Sequence, residues 1–559
     1  MSKFSRRDVL KTINLSVLGS ALSPANLFAT SFIQGLVSQA NAQITGTDPR
    51  ALITIRAPGG PQRWGFDGML NPNGETLLPN PYIASHFGAV GGRLSEPIYG
   101  TIKYNGITVP HLWSYSVPTV GGGLRPMTDL LNNMMVLRGI DVVDGGHAGA
   151  QKKQYMVPGA SASIHGTHAD VSMKSPLSSV WASGGNGADF QSRRSLQKID
   201  LYVGYNANQN FIADIMAPFK VNNTVATRAL ALANDASIQA AYASLNTVKS
   251  DLGSTLRANV KGADDIVRSG IEDLSTVWVA LKTKYANLIK AALVGNYPGL
   301  NDMPVGGTTR DGQYNFDQGT NKIVTLDDMR TMFHAGTGMG RTAEMFACAE
   351  FMITRGYTNS MCIDIGTLSD LKFDKTDLAR SENDNYDSHF IGRMTSTFLW
   401  GMTVPCFAAC MLEFIDVLKS KTRYDGRNLW NESVIHFGGE FNRTAPWYAA
   451  DTNPGTGTDH GPGSSVFSHW SGAIRGPIVV GNIIDKNRSD YYVAREPGTV
   501  GLGAKIPELN NRIAGTGDML NSLASLLRVP PPNPNNMSLV ASDGTSLIGP
   551  PKIVPRAEG

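Results

Sequence analysis

The chain has 559 residues, 42% of them hydrophobic and 17% charged, which suits a globular protein with an extensive core. Its formal charge is +3, and Lys3, Arg6, Arg7 and Lys11 set against Asp8 account for the whole excess, so the remainder is close to neutral and lacks a basic footprint for nucleic acid. The four cysteines, Cys348, Cys362, Cys406 and Cys410, show no paired Cys-x-x-Cys spacing and are too few for a disulfide scaffold.

The first residues read as an export signal. Ser5-Arg6-Arg7-Asp8-Val9-Leu10-Lys11 is a twin-arginine motif, followed by a moderately apolar stretch from Ile13 to Val37 and a small-residue cleavage site at Ala40-Asn41-Ala42. Ser23, Pro24, Asn26 and Gln34 break the apolar stretch, which argues against a permanent membrane helix. Residues 1–42 are therefore expected to be removed, leaving a periplasmic or secreted protein that starts near Gln43. No lipobox cysteine follows the signal, so no lipid anchor is expected. Twin-arginine export carries proteins already folded, often with a metal or cofactor loaded.

Residues 43–508 read as one large α/β domain. Ala51-Leu52-Ile53-Thr54-Ile55-Arg56 predicts a first buried strand that stops at Ala57-Pro58-Gly59-Gly60-Pro61. Asp67-Gly68 follows it, either as an ordinary turn pair or as a carboxylate within reach of the strand end. From Leu124 the apolar spacing predicts a helix, leading into the short run Met135-Val136-Leu137. Beyond Arg138-Gly139-Ile140-Asp141 comes Asp144-Gly145-Gly146-His147-Ala148-Gly149-Ala150-Gln151. The small residues around His147 let backbone approach a ligand closely, and the histidine reads as a site residue or a structural one. His165 and His168 fall in a Ser/Gly/Ala-rich loop, where they either bind a metal or are solvated.

Between about 209 and 295 the chain turns Ala- and Leu-rich with helical spacing. This predicts a helical insertion over one side of the sheet, for packing, partner contact or lidding. Alternation resumes with a helix through Arg341 to Arg355 and the strand Ser360 to Ile365. An acidic loop from Asp370 to Ser388 then closes on Asp387-Ser388-His389, where both side chains can face one ion or Asp387 can cap the helix from Phe390 to Leu418. Pro405 is expected to kink that helix, and Cys406 and Cys410 on it read as small core residues.

Ser433-Val434-Ile435-His436-Phe437 is the strand on which the chain is organised. Gly438-Gly439 end it and present Glu440 beyond its carboxyl end, the ligand edge of an open α/β sheet. Glu440 either takes part in chemistry there or pairs with Arg443. Asp459 and His460 stand between Gly457 and Gly461 and either reach the same cleft or cap a turn. Carboxylate with imidazole is a donor set for zinc or manganese. A strand at Pro477-Ile478-Val479-Val480 follows, and residues 509–559 predict one helix around Leu520 to Leu527 and a Pro-rich tail along the surface.

Taken together, the Arg-Arg signal, the Leu-Arg-Gly-Ile-Asp…Gly-Gly-His-Ala…Gln block at 137–151, Asp387-Ser388-His389, Glu440-Phe441-Asn442-Arg443-Thr444 and Gly457-Thr458-Asp459-His460-Gly461 resemble the twin-arginine-exported bacterial families whose fold looks like that of alkaline phosphatases and sulfatases. The resemblance implies a large, mostly parallel sheet between helical layers, with divalent metal (zinc, manganese or calcium) at the strand ends. Glu440, His460, Asp387 and His389 would be ligands, with Asp67 as a further one and Asp459, from its place beside His460, another candidate; Arg443 would stabilise an anionic substrate, and Thr444 or a metal-bound water would attack it. The departures are the absence of any Cys-x-Pro-x-Arg, Gly146 where relatives often carry Ser, and Asn442 in place of a usual glycine. Two functions are expected on this scaffold. One is an exported metal-dependent hydrolase of phosphate or sulfate esters. The other is a non-catalytic envelope protein that binds a partner or self-associates through the helical insertion.

Overall fold

A near-continuous run of apolar and β-branched side chains is what a strand covered on both faces requires. Ala51–Ala57 is such a run, and as β1 it is buried along its whole length. In the computed structural model the described residues are 48–61, 63–67, 101–143, 146–156, 163–172, 179–182, 200–202, 277, 279–298, 338–356, 358–366, 386, 393–423, 426–443, 460–484 and 502–549. The strands that matter for the site are β2 (Met134–Ile140), β3 (Ser179–Ala182), β4 (Asp200–Tyr202), β5 (Ser360–Asp364) and β6 (Ser433–Gly439). They are followed by the two-residue pieces β7 (Asn442–Arg443) and β8 (His460–Gly461), then β9 (Ser465–Trp470) and β10 (Ile478–Val480). Eight of them form one sheet in the order β10-β2-β9-β6-β1-β5-β3-β4. All run in one sense except β9, which is antiparallel to both β6 and β2.

The two faces of the sheet are covered differently. Ile53, Ile55, Ile435, Phe437, Met361 and Ile363 face a layer built from α3 (Gly338–Thr354) and α4 (Arg393–Ser420), where Phe346, Phe407 and Phe414 complete the larger core. Leu52, Val434, Leu137 and Phe467 face the opposite way and pack on Met519, Leu520, Leu523 and Leu527 of α5 (Thr516–Leu527). The short helices α1 (His147–Lys153) and α2 (Ile164–Val171) share that second face. The expected α/β architecture, a mostly parallel sheet between helices, is what the chain forms. By length and composition α4 has a stretch long and apolar enough to cross a membrane, yet most of that stretch is buried in the core. Pro405 lies inside α4 without ending it, and all four cysteines are free and buried.

Of the helical insertion, only its end falls within the described residues, and there it serves packing. Within 279–293, Leu288, Ile289 and Ala292 are buried, Tyr285 donates to Glu350 at 2.6 Å, and Lys284 bridges Glu350 and Glu413 at 2.6 and 2.8 Å. Two other expectations are corrected. The stretch after Leu124 is a short strand and a 3-10 helix, Met127–Asn133, because Pro126 starts a turn too brief for a full α-helix. The Pro-rich tail does run along the surface, with Pro530, Pro531 and Pro534 exposed, and it is anchored by buried Leu539 and Val540 and by the Asn521 side chain donating to the Asn533 and Asn536 carbonyls. His165 and His168 are neither solvated nor in a loop. They lie buried on α2, where His165 bonds Thr54 at 3.0 Å and Ser360 at 2.9 Å, and His168 bonds the Arg50 carbonyl at 2.6 Å.

Two more histidines, His436 of β6 and His469 of β9, meet across the sheet at 3.0 Å and are wholly buried. Burial pushes His469 and His165 down to about 3, with Arg63 adding to the first and His168 to the second. Burial, His469, His165 and Arg63 together hold His436 well below its usual value. These rings are neutral in the folded chain and take up protons on unfolding at the ordinary histidine pKa near 6.5. Stability is therefore complete above about pH 6.5 and falls toward pH 3, by roughly 1.4 kcal/mol per pH unit for each ring. Urea unfolding followed from neutral to acid pH is expected to show a midpoint that drops steeply through this window, and a shallower drop in His469→Gln. A midpoint insensitive to acid would contradict the buried neutral state.

Candidate functional site at the carboxyl edge of the sheet

β1 and β6 run in parallel register from Ala51 opposite Ser433 to Ala57 opposite Gly439, so both end at one edge. The chain leaves β1 through Gly59 and Gly60, which have φ of +88° and +67°. A Cβ on Gly60 would lie 2.8 Å from the Phe441 ring and 3.2 Å from the Phe441 carbonyl, so only glycine lets this turn pack beneath the residue after Glu440. A Cβ on Gly439 would meet Pro61 at 2.7 Å. The paired glycines at 438 and 439 are the last two residues of the strand, and Glu440 is the first beyond it, as expected.

Glu440 is buried, and its Oε2 is hydrogen-bonded to Nδ1 of His147, the first residue of α1, whose side chain is 35% exposed. The His147 ring stands 4.7 Å from the His460 ring and 5.1 Å from Phe441, and Phe441 lies 3.9 Å from His460, centroid to centroid. His460 reaches this cluster because β8 pairs antiparallel with β7, Arg443 opposite His460 and Asn442 opposite Gly461. The buried Asn442 donates to the Ser464 carbonyl at 3.1 Å and holds the turn from the other side. At the neighbouring strand ends, Tyr386 donates its backbone N–H to the Pro58 carbonyl at 2.6 Å and its hydroxyl to the Gly366 carbonyl at 2.7 Å. The residue before Asp387 is thus fixed between the ends of β1 and β5.

Beneath these groups lies a buried ion pair. Arg56 of β1 donates to Asp364 of β5 through Nε at 2.6 Å and Nη2 at 3.0 Å. Burial by itself would lower the Arg56 pKa, but the Asp364 charge and hydrogen bonds outweigh it and hold the guanidinium firmly charged. The side-chain amide of Gln151 of α1 abuts the same guanidinium, and only with its oxygen assigned to that side, which satisfies both groups, does it accept from Nη1 and, at 3.0 Å, from Nη2. Tyr155 is buried nearby, its hydroxyl pushed well above the usual range by burial, with Arg56 opposing. Gln154, the cap of α1, donates to the Gly439 carbonyl.

The structure brings His147, Glu440 and His460 together and leaves Asp67 elsewhere. Glu440 pairs with His147, and the expected partner Arg443 has its side chain outside the described residues. Asp67 is fully buried, bonded through both oxygens to Arg63, and accepts from Ser468 at 2.5 Å. Arg63 lies over the Phe437 ring at 4.6 Å, on the α3/α4 face of the sheet, opposite the face that Gln154 approaches. The backbone of Arg443 is in β7, and its side chain is outside the described residues, as are Thr444, Asp459, Asp387 and His389. Sequence reasoning missed Arg56, Asp364, Gln154 and Tyr386. A charged residue closing an apolar strand just before Ala57-Pro58 was a signal for Arg56, because such a charge needs a buried partner. The chain has no match among protein-family models, curated proteins or solved structures.

Chemically, two imidazoles and a carboxylate are the nitrogen and oxygen donors that zinc and manganese accept. Among the described residues no three His, Cys, Asp or Glu side chains are arranged to hold an ion. The expected ligands Asp387, His389 and Asp459 lie outside the described residues. The buried ion pair is testable without reference to any ligand. Asp364→Ala strands the Arg56 charge in the interior and is expected to lower the unfolding free energy by about 3–5 kcal/mol. Urea unfolding would measure this, and a loss below about 1 kcal/mol would put the pair in the range of solvent-exposed bridges.

Proposed function

We propose that this chain is an exported hydrolase of phosphate or sulfate esters, working with a divalent metal on an alkaline phosphatase-like scaffold. The observation that carries the reading is the gathering of His147, Glu440 and His460, from three separate segments, at the carboxyl edge of a mostly parallel sheet. Such a sheet between helical layers supports the kinship, and the twin-arginine segment at Arg6-Arg7 supports export to the periplasm or beyond, without a stable membrane anchor.

In this reading Glu440 and His460 would hold the ion together with Asp387, His389 and Asp459. Zinc, manganese and calcium are the candidates. Asp67 is left out, since both its oxygens are bonded to Arg63. Bound there, the metal supplies a Lewis acid that polarises the ester and makes bound water more acidic. The chain's own residues do the rest. Glu440 Oε2 holds His147 in one orientation with Nδ1 as the bonded nitrogen. Phe441 walls the cluster with apolar surface. Arg443 offers a planar fork that matches phosphate or sulfate oxygens, and Thr444 offers a hydroxyl nucleophile as the alternative to water.

A second reading has its own observation in favour. Asp67 and Glu440, two carboxylates of the expected ligand set, both bond protein donors, as they would in a non-catalytic envelope protein that binds or assembles through the insertion at about 209–295. The deciding experiment combines turnover of aryl phosphate and aryl sulfate esters, with and without a chelator, and metal analysis of His460→Ala. The hydrolase reading predicts that chelation lowers turnover by about 100-fold or more, restored by added metal, and that His460→Ala loses the ion while remaining folded. Folded wild-type protein without turnover, and a self-associating chain, would favour the second reading instead.

A further inference from the structure

We infer that Gln154 is a positioning residue of the site, and that α1 is the element that sets the His147–Glu440 contact. This rests on the site proposed above. His147, Gln151 and Gln154 are spaced i, i+4, i+7, which puts them on one face of a helix. Each takes a different hold on the carboxyl edge. His147 bonds Glu440, just beyond β6, Gln151 accepts from Arg56 at the end of β1, and Gln154 donates to the carbonyl of Gly439, the residue immediately before Glu440. Two consecutive residues at the end of β6 are therefore gripped by the two ends of one short helix.

The fit around Gln154 is close on every side. Its side chain is buried, and a Cβ on Gly438 would stand 2.9 Å from its Oε1 and 3.1 Å from the Phe467 ring. The absence of a side chain at 438 thus makes the room that Gln154 fills. Through Gln151 the same helix is tied to the Arg56–Asp364 pair, so α1 spans β6, β1 and β5 at the edge where the site lies. A helix of only two turns has little stability of its own. Its placement, and with it the orientation of the His147 ring, is then set by these side-chain bonds.

The test reads the His147 ring directly, by nitrogen-15 and proton NMR of the full chain with labelled histidine, the signal being assigned by its loss in His147→Gln. Gln154→Met keeps the length and removes the donor, Gln151→Met loosens the same helix from the Arg56 side, and Lys152→Ala alters an exposed position between them. A carboxylate-bonded Nδ1–H gives a downfield proton resonance. We expect it in the wild type, expect it to be shifted or exchange-broadened in Gln154→Met and Gln151→Met, and expect Lys152→Ala to leave it in place. Gln154→Glu, which puts an acceptor against the Gly439 carbonyl, is expected to behave like Gln154→Met, and Gln154→Asn to restore the signal only in part. An unchanged resonance in both methionine variants, or no carboxylate-bonded His147 signal in the wild type, would overturn the inference. Should Gln154→Met not fold, Gln151→Met decides in the same way. Loss of the hydrolase reading, through absent metal or turnover, leaves this signal untouched, so the two failures are distinguishable.

Discussion

The parallel pairing of β1 with β6 is the constraint on which the site depends. Because Ala57 and Gly439 are opposite one another, the two strands leave the sheet side by side, and their exits must share a small volume. Gly60, at positive φ, tucks under Phe441, and Gly439 accommodates Pro61. Glu440 is then placed where α1 can reach it. A register slip of one residue would turn each side chain of the strand to the other face. His436 would leave the polar side of the sheet and Phe437 the aromatic core, so the apolar packing that makes the strand also fixes the address of the carboxylate.

The sheet separates its polar groups by face, and the separation has a physical reason. On the α3/α4 face Arg63 and Asp67 are buried beside β6 and β9, neutralised by each other, with Arg63 over Phe437 and Phe66 packed on Phe437 and Trp113. On the other face Thr54, Ser360, His165, His436 and His469 form short hydrogen-bonded links in the interior, and Arg56 with Asp364 closes the edge. Buried polar groups are tolerated when they are bonded to one another. A rigid polar layer of this kind is a good support for a site, because it holds strand ends without depending on solvent.

Much of this was legible in the sequence, and the rest was not for identifiable reasons. β1, β2, β5, β6 and β10 announce themselves as apolar, β-branched runs, and Gly-Gly before Glu440 marks the edge correctly even though the glycines belong to the strand. β9 does not, because Ser465, Ser468 and His469 interrupt its apolar pattern, and it was the antiparallel exception that no repeated motif foretells. His147, Glu440 and His460 are recognisable as polar residues among small or turn-forming neighbours. Their partnership is not, since 293 residues separate His147 from Glu440 and only the sheet order brings them together. Asp67 shows the opposite failure. A carboxylate after the first strand looks like an edge ligand, but Arg63 four residues earlier draws it into the core. Gln154 gave no signal at all, as a buried glutamine looks like a surface one until its partner carbonyl is known.

Whether an ion binds at the carboxyl edge beside Glu440 decides the function of this site. Anomalous X-ray scattering from crystals of the exported protein, collected at the zinc and manganese edges, locates such an ion directly. The account predicts a peak at coordinating distance from Glu440 and His460, adjoining the chain that leads from Tyr386 into Asp387. A peak elsewhere in the molecule, or well-ordered Glu440 and His460 side chains with no peak in protein purified without chelator, would contradict it.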